Sequence, residues 1–182
     1  MARQNKGALQ IKLRAFEKTD LDIVHRMFNN PELVRQLYSE TVMPFSMDEE
    51  ASFIESSVNP KSKENAYNFA IEKEDGALIG GCSYFSTSNK NRTCYVGISI
   101  YDPQLWGKGY GTAAMRKLLE FLFHERNMRK VLLNVFSFNK RAMASYKKLG
   151  FVEEGCLREQ IYRDGKWHDE YVMALFAGDF RG

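Results

Sequence analysis

Cysteine is scarce in this chain. Cys82, Cys94 and Cys156 are odd in number, far apart and without zinc-ligand spacing. A disulfide framework needs an even and denser set, so these residues read as free thiols of a reducing compartment. No apolar run approaches the ~20 residues of a membrane span. Met1 to Gly7 is polar and lacks the apolar stretch of a secretory signal. A cytoplasmic protein is expected from these absences. A dominant charge is missing too: 26 Lys and Arg stand against 23 Asp and Glu, a formal net charge of +3. That mild excess helps attract a small polyanion but builds no nucleic-acid face. No repeat, low-complexity tract or linker breaks the chain, and His25, His124 and His168 show no spacing that would hold a metal.

What the chain does have is core material. Its 182 residues are 44% hydrophobic and include 13 Phe and 9 Tyr, enough for one domain and too apolar for disorder. Leu9, Ile11, Leu13 and Ala15 alternate with polar neighbours as a strand does. A helix is expected from Thr19 or Asp20 to about Asn29, then an irregular stretch over Glu32 to Phe45. A second helix starts at Ser46, where Ser46 and Glu49 form a capping box. Tyr67–Glu72, Leu78–Phe85 and Thr93–Tyr101 read as strands joined at Asp75-Gly76 and over Ser88–Arg92. A long helix to about Arg126, a strand over Lys130–Phe136 and a helix over Lys140–Leu149 follow, the last closed by Gly150. Two strands, Phe151–Arg163 and Lys166–Leu175, turn at Asp164-Gly165. The order β, two helices, three strands, helix, strand, helix, two strands predicts a single mixed α/β or α+β domain.

The most informative segment is Trp106-Gly107-Lys108-Gly109-Tyr110-Gly111-Thr112. Alternate glycines leave successive backbone N–H groups unshielded, and the loop runs into a helix N-terminus whose free N–H groups favour an anion. Lys108 adds positive charge. Glycine-rich turns also serve geometry alone, so the loop by itself leaves both roles open. It is not a P-loop, which needs Gly-Lys followed by Ser or Thr, and it lacks the G-x-G-x-x-G of a dinucleotide fold. A second motif is Asn139, an N-cap candidate, with Tyr146 two turns along the same helix and Gly150-Phe151 after it. Packing and capping would account for that pair equally well.

Together, the G-x-G-x-G loop and the later Asn-x6-Tyr-x3-Gly-Phe resemble the GNAT acetyltransferase superfamily. The order of elements is similar too, over Leu9 to Phe176. Tyr162-Arg163-Asp164-Gly165-Lys166-Trp167 resembles the hairpin of the branch that holds ribosomal-protein N-terminal and spermidine N-acetyltransferases. The resemblance implies a GNAT domain over residues 9–176 behind a flexible N-terminus (1–8), with a mixed sheet split between its fourth and fifth strands. It implies that Trp106 to Gly111 hold the pyrophosphate of acetyl-CoA, with Thr112 also at the cofactor, that Ile98, Ser99 and Ile100 hydrogen-bond its pantetheine arm, and that Asn139 contacts the cofactor beyond the split. Tyr146 would sit near the sulfur and protonate it. The family often has Gln or Arg where this chain has Trp106, with Gln104 two positions early. A Glu common in the branch is replaced by Tyr95.

The expected reaction is direct transfer from acetyl-CoA to an amine in a ternary complex, without a metal. A primary amine of pKa ~10 is about one part in a thousand neutral at pH 7, so a base or water chain is needed. Glu40 is the candidate base because the irregular stretch should border the acceptor groove. Tyr38, Phe45 and Trp167 are candidate acceptor-side residues, and His168 a further base. A polyamine, a protein N-terminus or a small amine fits as acceptor, and a homodimer is an open option. The alternative is a non-catalytic CoA-binding sensor on the same fold.

Overall fold

Alternation and turn glycines produce the strands where the sequence places them. The computed structural model describes residues 9–40, 43–60 and 63–182, so the expected flexible segment 1–8 lies outside the described residues. The strands are β1 (Ile11–Ala15), β2 (Tyr67–Lys73), β3 (Leu78–Ser88), β4 (Thr93–Ile100), β5 (Lys130–Phe136), β6 (Val152–Arg163) and β7 (Lys166–Phe176). They form one sheet in the order β1-β2-β3-β4-β5-β7-β6. Gly76 and Gly165 take left-handed φ angles of +82° and +75° in the β2–β3 and β6–β7 turns, a conformation that costs glycine nothing.

β4 and β5 run parallel and are paired only at Thr93–Lys130, Cys94–Val131 and Tyr95–Leu132. Beyond Tyr95, β4 stays paired with β3 as far as Ile100, and β5 stays paired with β7 to its end at Phe136. The sheet therefore opens between its fourth and fifth strands, as the resemblance implied.

Helices cover both faces. α4 (Tyr110–Glu120) ends in a wider turn over Phe121–Glu125, where the Arg126 N–H reaches the Phe121 carbonyl at 3.0 Å. With α5 (Lys140–Lys148) it packs Met115, Leu118 and Leu122 against Val131, Leu133 and Met173. On the other face, α1 (Leu21–Phe28), α2 (Pro31–Leu37) and α3 (Met47–Val58) enclose Phe16, Val24, Leu33, Ile54 and Tyr101. The Ser46–Glu49 capping box forms as expected.

Two expectations are corrected. Glu32 to Phe45 is not irregular throughout, because α2 occupies its first half. Asn30 caps α2, its Oδ1 accepting the Glu32 N–H at 2.9 Å, and Pro31 fills the first helical position, where no N–H is needed. The first helix begins at Leu21 because Lys18–Asp20 is a tighter turn. There the Asp20 carboxylate accepts the Glu17 N–H at 2.9 Å and both Arg14 Nη groups. Burial pushes the Asp20 carboxyl up, but the Arg14 and Glu17 hydrogen bonds outweigh that and hold it below the usual carboxylate range.

Candidate acetyl-transfer site

A cavity of about 680 Å³ opens where β4 and β5 part. Strand alternation divides its walls. Ile98 and Ile100 of β4 point to the α4–α5 face, where they pack on the core, while Tyr95, Gly97 and Ser99 point to the α1–α3 face. On β5 and β7, Val135 and Tyr171 belong to the α4–α5 side. Phe136 and Glu170, paired across the strands, therefore belong to the other. Leu33, Gln36 and Leu37 of α2 roof that second side. One continuous space thus has a wall built by α4 and α5 and an opposite wall built by α2, Phe85, Tyr95 and Glu170.

The α4–α5 wall gathers most of the residues expected at the cofactor. Gly107 and Gly109 hold φ angles of +74° and +94°, and Gly109 is the residue from which α4 starts. Gly107, Gly109, Tyr110, Gly111 and Thr112 line the cavity at the helix N-terminus. Thr112 and Ser145 join their hydroxyl oxygens at 2.7 Å, which ties α4 to α5. Asn139 caps α5, its Oδ1 accepting the Ala142 N–H at 3.2 Å, and it also lines the cavity, so capping and site membership coexist. Tyr146 faces the same space, 8% exposed, with its ring 5.8 Å from that of Phe151. Burial pushes its hydroxyl up to about 12, so it keeps its proton at neutral pH.

The residues present fit a phosphopantetheine donor. The loop is bare of side chains at two left-handed glycines, amide groups converge at a helix N-terminus, and β4 offers backbone without a β5 partner beside the cavity. Ser99 Oγ is buried on that strand without a hydrogen-bond partner among the described residues.

Several expectations fall elsewhere. Lys108 is exposed and does not line the cavity. Trp106 lines it, but its indole N–H donates to the Ile100 carbonyl at 2.7 Å, so the side chain braces the loop against β4. Glu40 lies in a second cavity with Ser39, Met43 and Arg163, away from Tyr146. The Tyr38 and Phe45 rings meet at a tilt, 6.1 Å apart, outside the main cavity, and Trp167 is 60% exposed beside Tyr162. His168 packs edge-on against Phe138 at 5.2 Å. The carboxylate that does line the cavity, Glu170, escaped sequence reasoning. Its signal was alternation in β7, which points it away from the core but names no cavity until the pairing with Phe136 is known.

Comparison with known proteins agrees with this fold. The model of the acetyltransferase (GNAT) domain matches residues 10–152. The spermidine N(1)-acetyltransferase of Vibrio cholerae serotype O1 is 30% identical over 172 residues, 94% of this chain and 95% of that one. A putative ribosomal N-acetyltransferase of Bacillus subtilis is 32% identical over 108 residues, 59% of this chain and 58% of its own. Among solved structures, spermidine N-acetyltransferase from Vibrio cholerae in complex with CoA and spermine superposes with a TM-score of 0.81 at 27% identity, covering 93% of this chain and 97% of that one.

Proposed function

Because the chain belongs to the GNAT acetyltransferase family and moves an acetyl group from acetyl-CoA to an amine, we propose that its acceptor is a polyamine. The observation that carries this reading is Glu170, the one carboxylate lining the cavity among the described residues, set on the wall opposite α4 and α5. A carboxylate there attracts an ammonium group and accepts its proton, and the similarity to spermidine acetyltransferases points to the same class of amine. Phe85, Tyr95 and Phe136 give a methylene chain apolar contact on the same wall.

The residues divide the work by wall. Bound acetyl-CoA supplies the activated acetyl carbonyl. Backbone N–H groups of the loop and the α4 N-terminus would hold its phosphates, and the free edge of β4 would hold its pantetheine amides. N–H groups on that edge face the charge that grows on the carbonyl oxygen. Glu170, or water beside it, takes the proton the attacking amine must lose. Tyr146 meets the departing sulfur. Its hydroxyl at about 12 faces a thiol of ordinary pKa near 8.5, so full proton transfer runs uphill by roughly three units. Tyr146 therefore stabilises the thiolate through a hydrogen bond, and the final proton comes from the amine or solvent.

Turnover of acetyl-CoA over a panel of spermidine, spermine, a simple monoamine and a peptide with a free N-terminus tests the acceptor. Spermidine or spermine should give the highest kcat/KM. A preference for the peptide, or for the monoamine, would overturn the polyamine assignment while leaving acetyl transfer standing.

A further inference from the structure

The glycine loop has Trp106 where the resemblance implies Gln or Arg, and Lys108, the charge within the loop, is exposed and does not line the cavity. Space supplies what the local sequence does not. Arg141, in the first turn of α5, lays its guanidinium over the ring of Trp106 at 3.9 Å from the centroid. The indole beneath it is fixed in turn by the 2.7 Å bond from its N–H to the Ile100 carbonyl. Arg141 lines the cavity beside Gly107 and Gly109. It makes no hydrogen bond or ion pair among the described residues, although the Glu32 carboxylate on α2 acts on it electrostatically, so its guanidinium donors are open to a ligand. Lys148 also lines the cavity, but it lies about two turns further along α5, at the opposite end of the helix from the loop.

We propose that Arg141, stacked on Trp106, is a ligand for the pyrophosphate of CoA and takes the place of the polar side chain missing at position 106. The reading rests on acetyl-CoA as the donor. A planar guanidinium lying flat on an indole keeps its edge donors free, and that edge matches two phosphate oxygens at once. The stack orders a long side chain before the ligand arrives, which lowers the entropy lost on binding. Trp106 thus serves the anion indirectly, by aiming Arg141 and by holding the loop against the end of β4.

Calorimetric titration of the full chain with CoA, dephospho-CoA (which lacks the 3′-phosphate) and pantetheine separates the outcomes. Arg141→Ala should weaken CoA and dephospho-CoA alike, by about tenfold or more, as loss of a charge-assisted hydrogen bond does. Pantetheine affinity should not change. Arg141→Lys should recover only part of the loss, because an ammonium neither stacks flat nor binds two oxygens in a fork, and Trp106→Leu should reproduce part of it. Binding of CoA by Arg141→Ala within twofold of the parent would overturn the proposal. So would a loss that vanishes with dephospho-CoA, which would move Arg141 to the 3′-phosphate, or an equal loss with pantetheine, which would make its role structural. A parent that binds no CoA at all would instead refute the donor site itself.

Discussion

At the scale of single residues, two of the buried acids, Tyr146 and Glu50, lead to separate tests. Tyr146 is held protonated in the cavity and is fitted to donate. Tyr146→Phe removes one oxygen and keeps the ring against Phe151, so CoA affinity and melting temperature should stay at parental values. Loss of one charge-assisted hydrogen bond to sulfur predicts a fall in kcat of about 10–100-fold, read under saturating acetyl-CoA and acceptor. A kcat within about threefold of the parent would leave Tyr146 as packing. Glu50, on α3, is only 4% exposed and has no hydrogen-bond partner among the described residues. Burial pushes its carboxyl up, His25 on α1 opposes that, and Glu49 adds to it, while Tyr38 and Tyr101 lie within its field. A carboxyl raised in the folded state favours folding at low pH and loses that contribution as pH rises through its folded pKa. Glu50→Gln should therefore melt higher than the parent at pH 8, because the amide carries no charge to bury. The difference should disappear towards pH 4. A difference independent of pH would refute the argument.

At the scale of elements, the loop before α4 can be tested without breaking it. Gly109 is a poor place to try, since its φ is +94° and an added Cβ would come within 3.1 Å of Leu9. Gly111 is better placed. It lies inside α4, an added Cβ would meet Ile100 Cγ1 at an ordinary 3.7 Å, and no left-handed φ is involved. Gly111→Ala should keep or raise the melting temperature, because Ala favours helix over Gly by ~1 kcal/mol. If phosphate approaches the backbone there, CoA affinity should fall at the same time. Unchanged affinity would mean that the ligand passes elsewhere. This loop was legible in the sequence, as were the Ser46–Glu49 box, the turn glycines and Gly150 at the end of α5, because each is a local pattern with a local cause. α2 was missed although its Asn30-Pro31 start is a standard signal, because the bulky residues after it read as irregular. Glu170 and Arg141 were missed for a different reason. Their places depend on which strand lies beside which and on the packing of α5 over the loop, and no local window contains that. Glu40, Tyr38 and Phe45 were expected at the acceptor groove because the stretch between the first helices should border it. Lys108, Trp167 and His168 were expected at the site by their chemistry and their loop or hairpin position. None of the six lines the main cavity.

At the scale of the molecule, the sheet is two half-sheets, β1 to β4 and β5 to β7, stitched by three residue pairs at Thr93 to Tyr95. Past that stitch, one edge of each half faces the cavity without a neighbouring strand. A ligand with amides along its length, laid into that gap, completes the missing ladder and ties the halves together. Binding and folding cooperativity then become a single event: an empty protein should open at this seam before it unfolds as a whole, and a loaded one should not. Hydrogen–deuterium exchange would register it as fast exchange of those backbone amides in Val96–Ile100 and Leu133–Phe136 that face the split rather than β3 or β7, with strong protection when CoA binds, while the β2–β3 amides barely respond. On the proposed reading, the acetyl donor would act as a removable piece of secondary structure, pairing where β4 and β5 part beyond Tyr95 and Leu132.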